Sequence, residues 1–371
     1  MPSELTRANA DDATGLKVLG ISRLRKGQLV LLAAAIFAGV GALTELVFGP
    51  LSISADELLI ILGSHLGLTD ASEIGRVKIG VVENIRAPRA VLGLAVGAAL
   101  GASGAAMQGF FRNPLADPGL IGVSAGGALS AVALVVVGAS VVDAFDPKLR
   151  AFIMPALSFL GALGTVIIIY RISMFDGRVI VATMLLAGVA ANAVAQSGIG
   201  YLTFLADDAQ LRDLTFWTLG SLGGATWDRV LPAVFLMVVA VAGLMTLMRP
   251  MNCLLLGEAD ASSLGVDVES VKRRAALCTA LGVGAATAAC GVVGFVGLVT
   301  PHLVRLMTGP DHRYVLPGSA LLGAALVLFS DLIARLSVSP AELPLGVVTA
   351  ALGAPFFFWL LLRDKKEGAY G

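Results

Sequence analysis

From Ala90 to Phe111 the chain runs 22 residues without a formal charge, and uncharged runs of this kind recur along its whole length. About 20 apolar residues in an α-helix cross the hydrocarbon core of a bilayer. With 57% hydrophobic and only 14% charged residues among 371, this is the pattern of a polytopic membrane protein. Candidate spans fall at roughly 29–49, 90–111, 120–142, 151–170, 179–205, 230–248, 275–290, 292–307, 315–334 and 343–362. The expected fold is therefore all-α with ten transmembrane helices, 29–362, between tails at 1–28 and 363–371. The formal net charge of zero argues against nucleic acid as a partner. Cys253, Cys278 and Cys290 form no CxxC pair and read as packing residues.

Charge places the termini. If the N-terminus is cytoplasmic, 17 of the 26 lysines and arginines fall on the cytoplasmic side and nine on the other, as the positive-inside rule requires. Both tails are then cytoplasmic. Within the second span, Gly93, Gly97 and Gly101 recur every four residues, so three positions without a side chain share one helical face and admit another helix at backbone distance. That span is expected to be central.

Outside the spans, residues 55–68 alternate polar and apolar residues at helical spacing, and 207–229 carries Phe216, Trp217 and Trp227, which suit a short interfacial helix. In the long inner loop 249–274, Glu258 and Asp260 suit a helix first turn and Gly265 its C′ position. Asp267 can cap a second helix ending at Lys272, Arg273 and Arg274. Two short helices at a membrane face make a docking surface. Residues Gly97–Gly104 and Gly284–Gly291 match at five of eight positions. Each copy runs into a short span and a proline, Pro114 or Pro301, and five helices separate the copies. That is the pattern of an inverted repeat with discontinuous helices around a pathway.

No GxxxxGK[ST] phosphate loop occurs, so nucleotide hydrolysis by that route is absent from this chain. Ion-coupled carriers bury ionisable residues at mid-membrane, yet spans two to eight hold no acid, and Glu45 and Asp331 lie near span ends. His65, His302 and His312 are far apart in sequence and topology, which gives no catalytic cluster.

Several motifs resemble the FecCD family, the permeases of ABC importers for iron chelates, haem and cobalamin. They are RAPR at 86–89, QGFFRNPLADPGLIGVSAGGAL at 108–129, GEADASSLGV at 257–266, GFVGLVTPHLVRLMTGPDHR at 294–313 and ARLSVSPAELPLGVV at 334–348. The resemblance implies a type II ABC importer permease in the bacterial inner membrane. Such a ten-helix subunit homodimerises around a pathway, with two ATPase subunits beneath and a periplasmic substrate-binding protein above. ATP and Mg then sit on the partner ATPase, no cofactor is bound by this chain, and the lipid bilayer is its solvent.

The resemblance also assigns roles. Arg86, Arg89 and Arg335 match arginines that face the periplasm and meet acidic residues of the binding protein. Local alternatives are pairs of Arg335 with Asp331 or Glu342 and of Arg86 with Glu83. Gly257, Glu258, Ala259, Asp260, Ala261, Leu264, Gly265 and Val266 match the coupling helix that sits in a groove of the ATPase. Ser173 and Met174 match a cytoplasmic gate. The outer segment 211–227 looks most like the haem-importing branch, ahead of ferric siderophore and cobalamin, so haem is the expected cargo. Arg212, beside the aromatic segment, is then expected to meet an anionic edge of that cargo, or else to pair with Asp207, Asp208 or Asp213.

Overall fold

A computed structural model describes residues 23–65, 67–70, 74–138, 145–338 and 341–366. The first helix, α1 (Arg23–Val47), already begins inside the stretch read as a tail. It is followed by α2 (Ala55–His65) and α3 (Arg76–Val81), and a π-turn at Val82–Arg86 leads into α4 (Ala87–Phe110). A 3₁₀ turn at Pro118–Ile121 precedes α5 (Val123–Val137), and α6 spans Pro147–Ile172. The two short strands β1 (Met174–Phe175) and β2 (Arg178–Val179) pair as an antiparallel hairpin. Next come α7 (Val181–Leu205), α8 (Asp208–Thr218), α9 (Trp227–Met245), α10 (Met248–Leu254) and α11 (Glu258–Ser263). The chain closes with α12 (Val268–Cys290), α13 (Val296–Thr308), α14 (His312–Leu336) and α15 (Leu345–Lys366).

Among the described residues, six helical stretches are long and apolar enough to cross a membrane: 25–47, 76–110, 152–172, 181–205, 227–245 and 312–336. The four other expected spans coincide with shorter or less apolar helices. α5 and α15 carry apolar stretches at 123–136 and 345–359. α12 begins with Glu269, Lys272, Arg273 and Arg274, and α13 has only 13 residues.

Burial separates the helices into an inner and an outer set. The apolar window of α4 is 78% buried and that of α14 61%, against about a fifth for α1, α6, α7 and α9. α4 and α14 are the centre, packed on each other, and their glycines explain how. A Cβ on Gly97 would lie 2.2 Å from the Gly323 carbonyl oxygen, and a Cβ on Gly323 would lie 2.2 Å from the Gly97 oxygen. Lower on the same helix, a Cβ on Gly101 would meet Ser319 O at 2.0 Å and one on Gly104 would meet Gly297 O at 1.8 Å. Gly93 is different, because its nearest neighbour would be the flexible end of Leu328 at 2.9 Å. Backbones this close gain dispersion contacts that lipid tails cannot match.

The two repeat copies, in α4 and α12, are each followed by a break and a short helix. α5 starts after Gly122 (φ 73°) and α13 after Phe295 (φ 66°), both left-handed. Phenylalanine seldom adopts that conformation. Its Cβ is accommodated where α15 has Gly353, since a Cβ added there would fall 2.5 Å from that of Phe295.

The outer helices form where their caps predict. Ser54 and Glu57 make reciprocal capping bonds at the start of α2 (3.2 and 3.0 Å), and Asp207 with Gln210 does the same for α8. Leu58 and Ile61 bury the apolar face of α2 against Ile53, Ile74 and Val82.

Candidate functional site

At one end of the bundle the three arginines of the docking expectation come together, but they are not free. Arg86, Arg89 and Arg335 are buried, at 3%, 6% and 5% exposure. Arg89, on the first turn of α4, holds Asp331 of α14 with two bonds (Nε–Oδ2 2.7 Å, Nη2–Oδ1 3.0 Å) and Glu342 with two more (3.0 and 2.9 Å). Arg335 bonds Glu45 at the end of α1 and lies 3.5 Å from Asp331. Arg86 donates to the backbone oxygens of Leu46 and Val47, both at 2.7 Å, and of Leu51.

The expectation of three guanidiniums presented at the surface is thus corrected. Three buried cations need partners, because an unpaired buried charge is costly: Glu45, Asp331 and Glu342 serve Arg89 and Arg335, and three backbone carbonyls serve Arg86. Of the local pairs considered, Arg335–Asp331 forms, whereas Glu342 goes to Arg89 and Glu83 pairs with His65 at 3.0 Å. Glu342 keeps a 40% exposed side chain, so the outward edge of Arg89 is where the cluster meets solvent.

At the opposite end lies the 257–266 segment. Gly257 (φ 121°) and Gly265 (φ 84°) bracket α11, each in a conformation that disfavours side chains. Glu258 and Asp260 sit in the first turn, Ala261 is buried, and Leu264 is exposed. Leu264 accompanies the turn that returns the chain through Val266, whose N–H bonds Ala261 O at 3.1 Å. Asp267 caps the next helix by accepting from Ser270 N at 3.0 Å. That helix does not stop at Arg274 as expected. It continues as α12 to Cys290, because Ala275–Cys290 holds no proline and packs on α4, α6 and α9. The end of the inner loop, 268–274, and a membrane helix are one continuous element.

Lys272 was read only as part of a terminal cationic run, and the structure gives it a larger role. It is 2% exposed and binds Glu258 of α11 at 2.8 Å, Glu269 at 3.3 Å and the Val179 carbonyl at 3.3 Å. Glu269 in turn accepts from Val179 N at 2.9 Å. The strand β2 is therefore clamped through both backbone groups of Val179 to the helix pair α11–α12. The same hairpin carries the two gate candidates. Ser173 is fully buried, its hydroxyl donating to Ile169 O at 2.7 Å, while Met174 is exposed.

A second clasp joins α10 to α14. Asn252 Nδ2 donates to Asp311 Oδ1 at 2.7 Å, and Asn252 Oδ1 accepts from His312 N at 2.7 Å. Asp311 caps α14 and is held by Arg313 Nη2 at 2.6 Å. Hydrogen bonds from the Arg313 side chain above all, then from the Arg313 backbone N–H and from Asn252, pull the Asp311 carboxyl down from 3.8 to about 2.

Arg212 lies exposed on α8 and makes no ion pair with Asp207, Asp208 or Asp213. Asp207 is instead committed to the helix cap, where it accepts from Ala209 and Gln210 N–H at 2.9 and 2.8 Å.

Comparison with known proteins bears directly on this geometry. The model of the FecCD transport family matches residues 25–363. The hemin transport system permease HmuU of Yersinia pestis is 45% identical over 285 residues, covering 76% of this chain and 84% of that protein. The cobalamin import system permease BtuC of Halobacterium salinarum is 42% identical over 289 residues, covering 78% and 75%. A solved metal-chelate-type ABC transporter in an inward-facing conformation superposes with a TM-score of 0.77 at 27% identity, covering 91% of this chain and 99% of that one. With the family model matched over nearly the whole length and central helices built as described, the chain belongs to the FecCD transport family, as a membrane permease of ABC importers.

Proposed function

We propose that this chain is the pathway subunit of a haem importer of the bacterial inner membrane, with both termini cytoplasmic. Two copies enclose the route, two ATPase subunits dock at 257–266, and a periplasmic binding protein delivers cargo at the Arg89 end. The observation that carries haem is the 45% identity to a hemin permease. Ferric siderophore and cobalamin are the other cargoes of the class, the second favoured by the 42% identity to a cobalamin permease.

The route for energy is read from the clamp. Movement of α11 in an ATPase groove would pull on Lys272 through Glu258, and Lys272 with Glu269 would carry it to Val179 and the Ser173–Met174 hairpin. Because α12 is continuous, the same movement enters the membrane without passing a hinge. At the far end, docking by the binding protein would engage the Arg86, Arg89 and Arg335 cluster through its solvent edge at Glu342. Arg212 stands ready beside Phe216 and Trp217 for an anionic edge of the cargo. Cargo choice is tested by purifying the cognate binding protein and titrating haem, cobalamin and a ferric siderophore. Tight binding of haem alone is expected, and binding of either other ligand in its place overturns the assignment.

A further inference from the structure

A cavity of about 730 Å³ lies beneath α8, between α6 and α9, with α12 as its floor. Its walls are apolar, among them Phe159, Trp217, Leu236 and Ala289, and its polar rim includes Asp213 and Arg229. Both helices beside it turn apolar side chains outward, with Leu160 and Ile168 exposed on α6 and Leu231 and Phe235 on α9. The cavity thus lies between two faces that are apolar and exposed on the single subunit. Arg229 is in the first turn of α9, and the neighbouring Trp227 donates Nε1–H to Glu83 O at 2.8 Å. This puts the rim at the Arg89 end of the bundle.

We propose that this cavity is a binding site for a zwitterionic phospholipid with a primary amine, phosphatidylethanolamine, taken from the adjoining leaflet. Charge complementarity selects the headgroup. Arg229 and Asp213 are exposed, and neither makes an ion pair or side-chain hydrogen bond among the described residues. The guanidinium suits the phosphate, and the carboxylate suits the ammonium, which can donate hydrogen bonds. Phosphatidylglycerol offers the phosphate but repels Asp213, and the quaternary ammonium of phosphatidylcholine has no proton to donate. The acyl chain fills the apolar walls, where every buried methylene adds to retention. The site is independent of the cargo reading, because it requires only that the chain span a bilayer.

The test uses the full-length permease in phosphatidylcholine nanodiscs doped with equal small fractions of phosphatidylethanolamine and phosphatidylglycerol, followed by native mass spectrometry of retained lipid. Retained phosphatidylethanolamine should exceed phosphatidylglycerol about fivefold, the ratio one exposed ion pair supports. Asp213→Asn should bring the two to parity, Arg229→Gln should lower retention of both, and Ala289→Phe should empty the site. Asp213 and Arg229 are exposed, so their variants fold even if the cavity-filling one does not. Retained lipid that mirrors the bilayer in all four proteins overturns the proposal. So does selective retention that neither rim variant changes. Haem displacing the lipid and quenching Trp217 would make the cavity a cargo site and overturn it equally.

Discussion

Replacing Gly97 by alanine is the smallest perturbation that reaches the centre of the bundle. The new Cβ would stand 2.2 Å from Gly323 O, 2.5 Å from Gly323 C and 2.6 Å from Ala324 Cα, all of them backbone atoms. No rotamer change relieves such a clash. To restore an ordinary 3.4 Å contact, α4 and α14 must separate locally by about 1.2 Å. A gap of 0.5–1 Å already forfeits about a quarter to a half of each dispersion contact along the seam. The loss therefore falls at the upper end of overpacking costs, about 3 kcal/mol. Two other glycines calibrate the reading. Gly93→Ala meets only the flexible ends of Leu328 and Leu222 and should be nearly neutral, while Gly164→Ala on α6 meets nothing within 4 Å and should gain some tenths of a kcal/mol from helix propensity. Thermal stability of the solubilised proteins, followed by size-exclusion fluorescence, should rank Gly164→Ala at or above the parent, Gly93→Ala beside it, and Gly97→Ala several degrees below. A Gly97→Ala midpoint equal to the parent's would refute the backbone contact between α4 and α14.

Three further substitutions probe the end of the bundle that carries residues 257–266. Gly265→Val meets no neighbour but forces a β-branched residue to φ 84°, at a cost of about 1–2 kcal/mol; ATP hydrolysis should persist while uptake per ATP falls, and normal uptake would remove this segment from coupling. Lys272→Met breaks ion pairs whose carboxylates are 43% and 29% exposed, so the loss is discounted to roughly 2 kcal/mol from the value for a fully buried pair. Uptake should fall more than binding-protein affinity, and Lys272→Arg should restore part of it. Asp311 has its carboxyl lowered to about 2 in the folded chain. Its stabilisation is therefore complete above its ordinary value of 3.8 and is lost as pH falls through 2. The stability difference between parent and Asp311→Asn should be constant above about pH 5 and shrink towards pH 2, and a difference independent of pH would show that the carboxylate charge contributes nothing.

What could be read from the sequence was local. The four-residue glycine period of α4, the Asp267 cap and the Gly265 C′ position all act within one or two turns, and each appears in the structure at its residue. Pro118 to Val142 holds 25 residues without a charge, more than one straight span needs, and over its described part it forms a 3₁₀ turn and α5. The arginine cluster shows the limit. Arg89 and Asp331 are 242 residues apart and Arg335 and Glu45 are 290 apart, so counting charges near each arginine offered Glu83, Asp331 and Glu342 and missed the long-range pairings. Lys272 was hidden in a run of three cations, where only the fold distinguishes the buried one from its exposed neighbours. Gly104, the tightest contact on α4, carried a legible signal, since three residues past Gly101 it lies on the same helical face.

The central claim is that this chain opens a route driven by a partner's ATP hydrolysis and not by an ion gradient. The most direct measurement is uptake of haem into proteoliposomes that contain the permease with its cognate ATPase, with loaded binding protein outside and nucleotide trapped inside. The account predicts uptake with ATP, none with ADP, and no change when a protonophore collapses the gradient. Uptake that survives without ATP and stops on addition of the protonophore would contradict it.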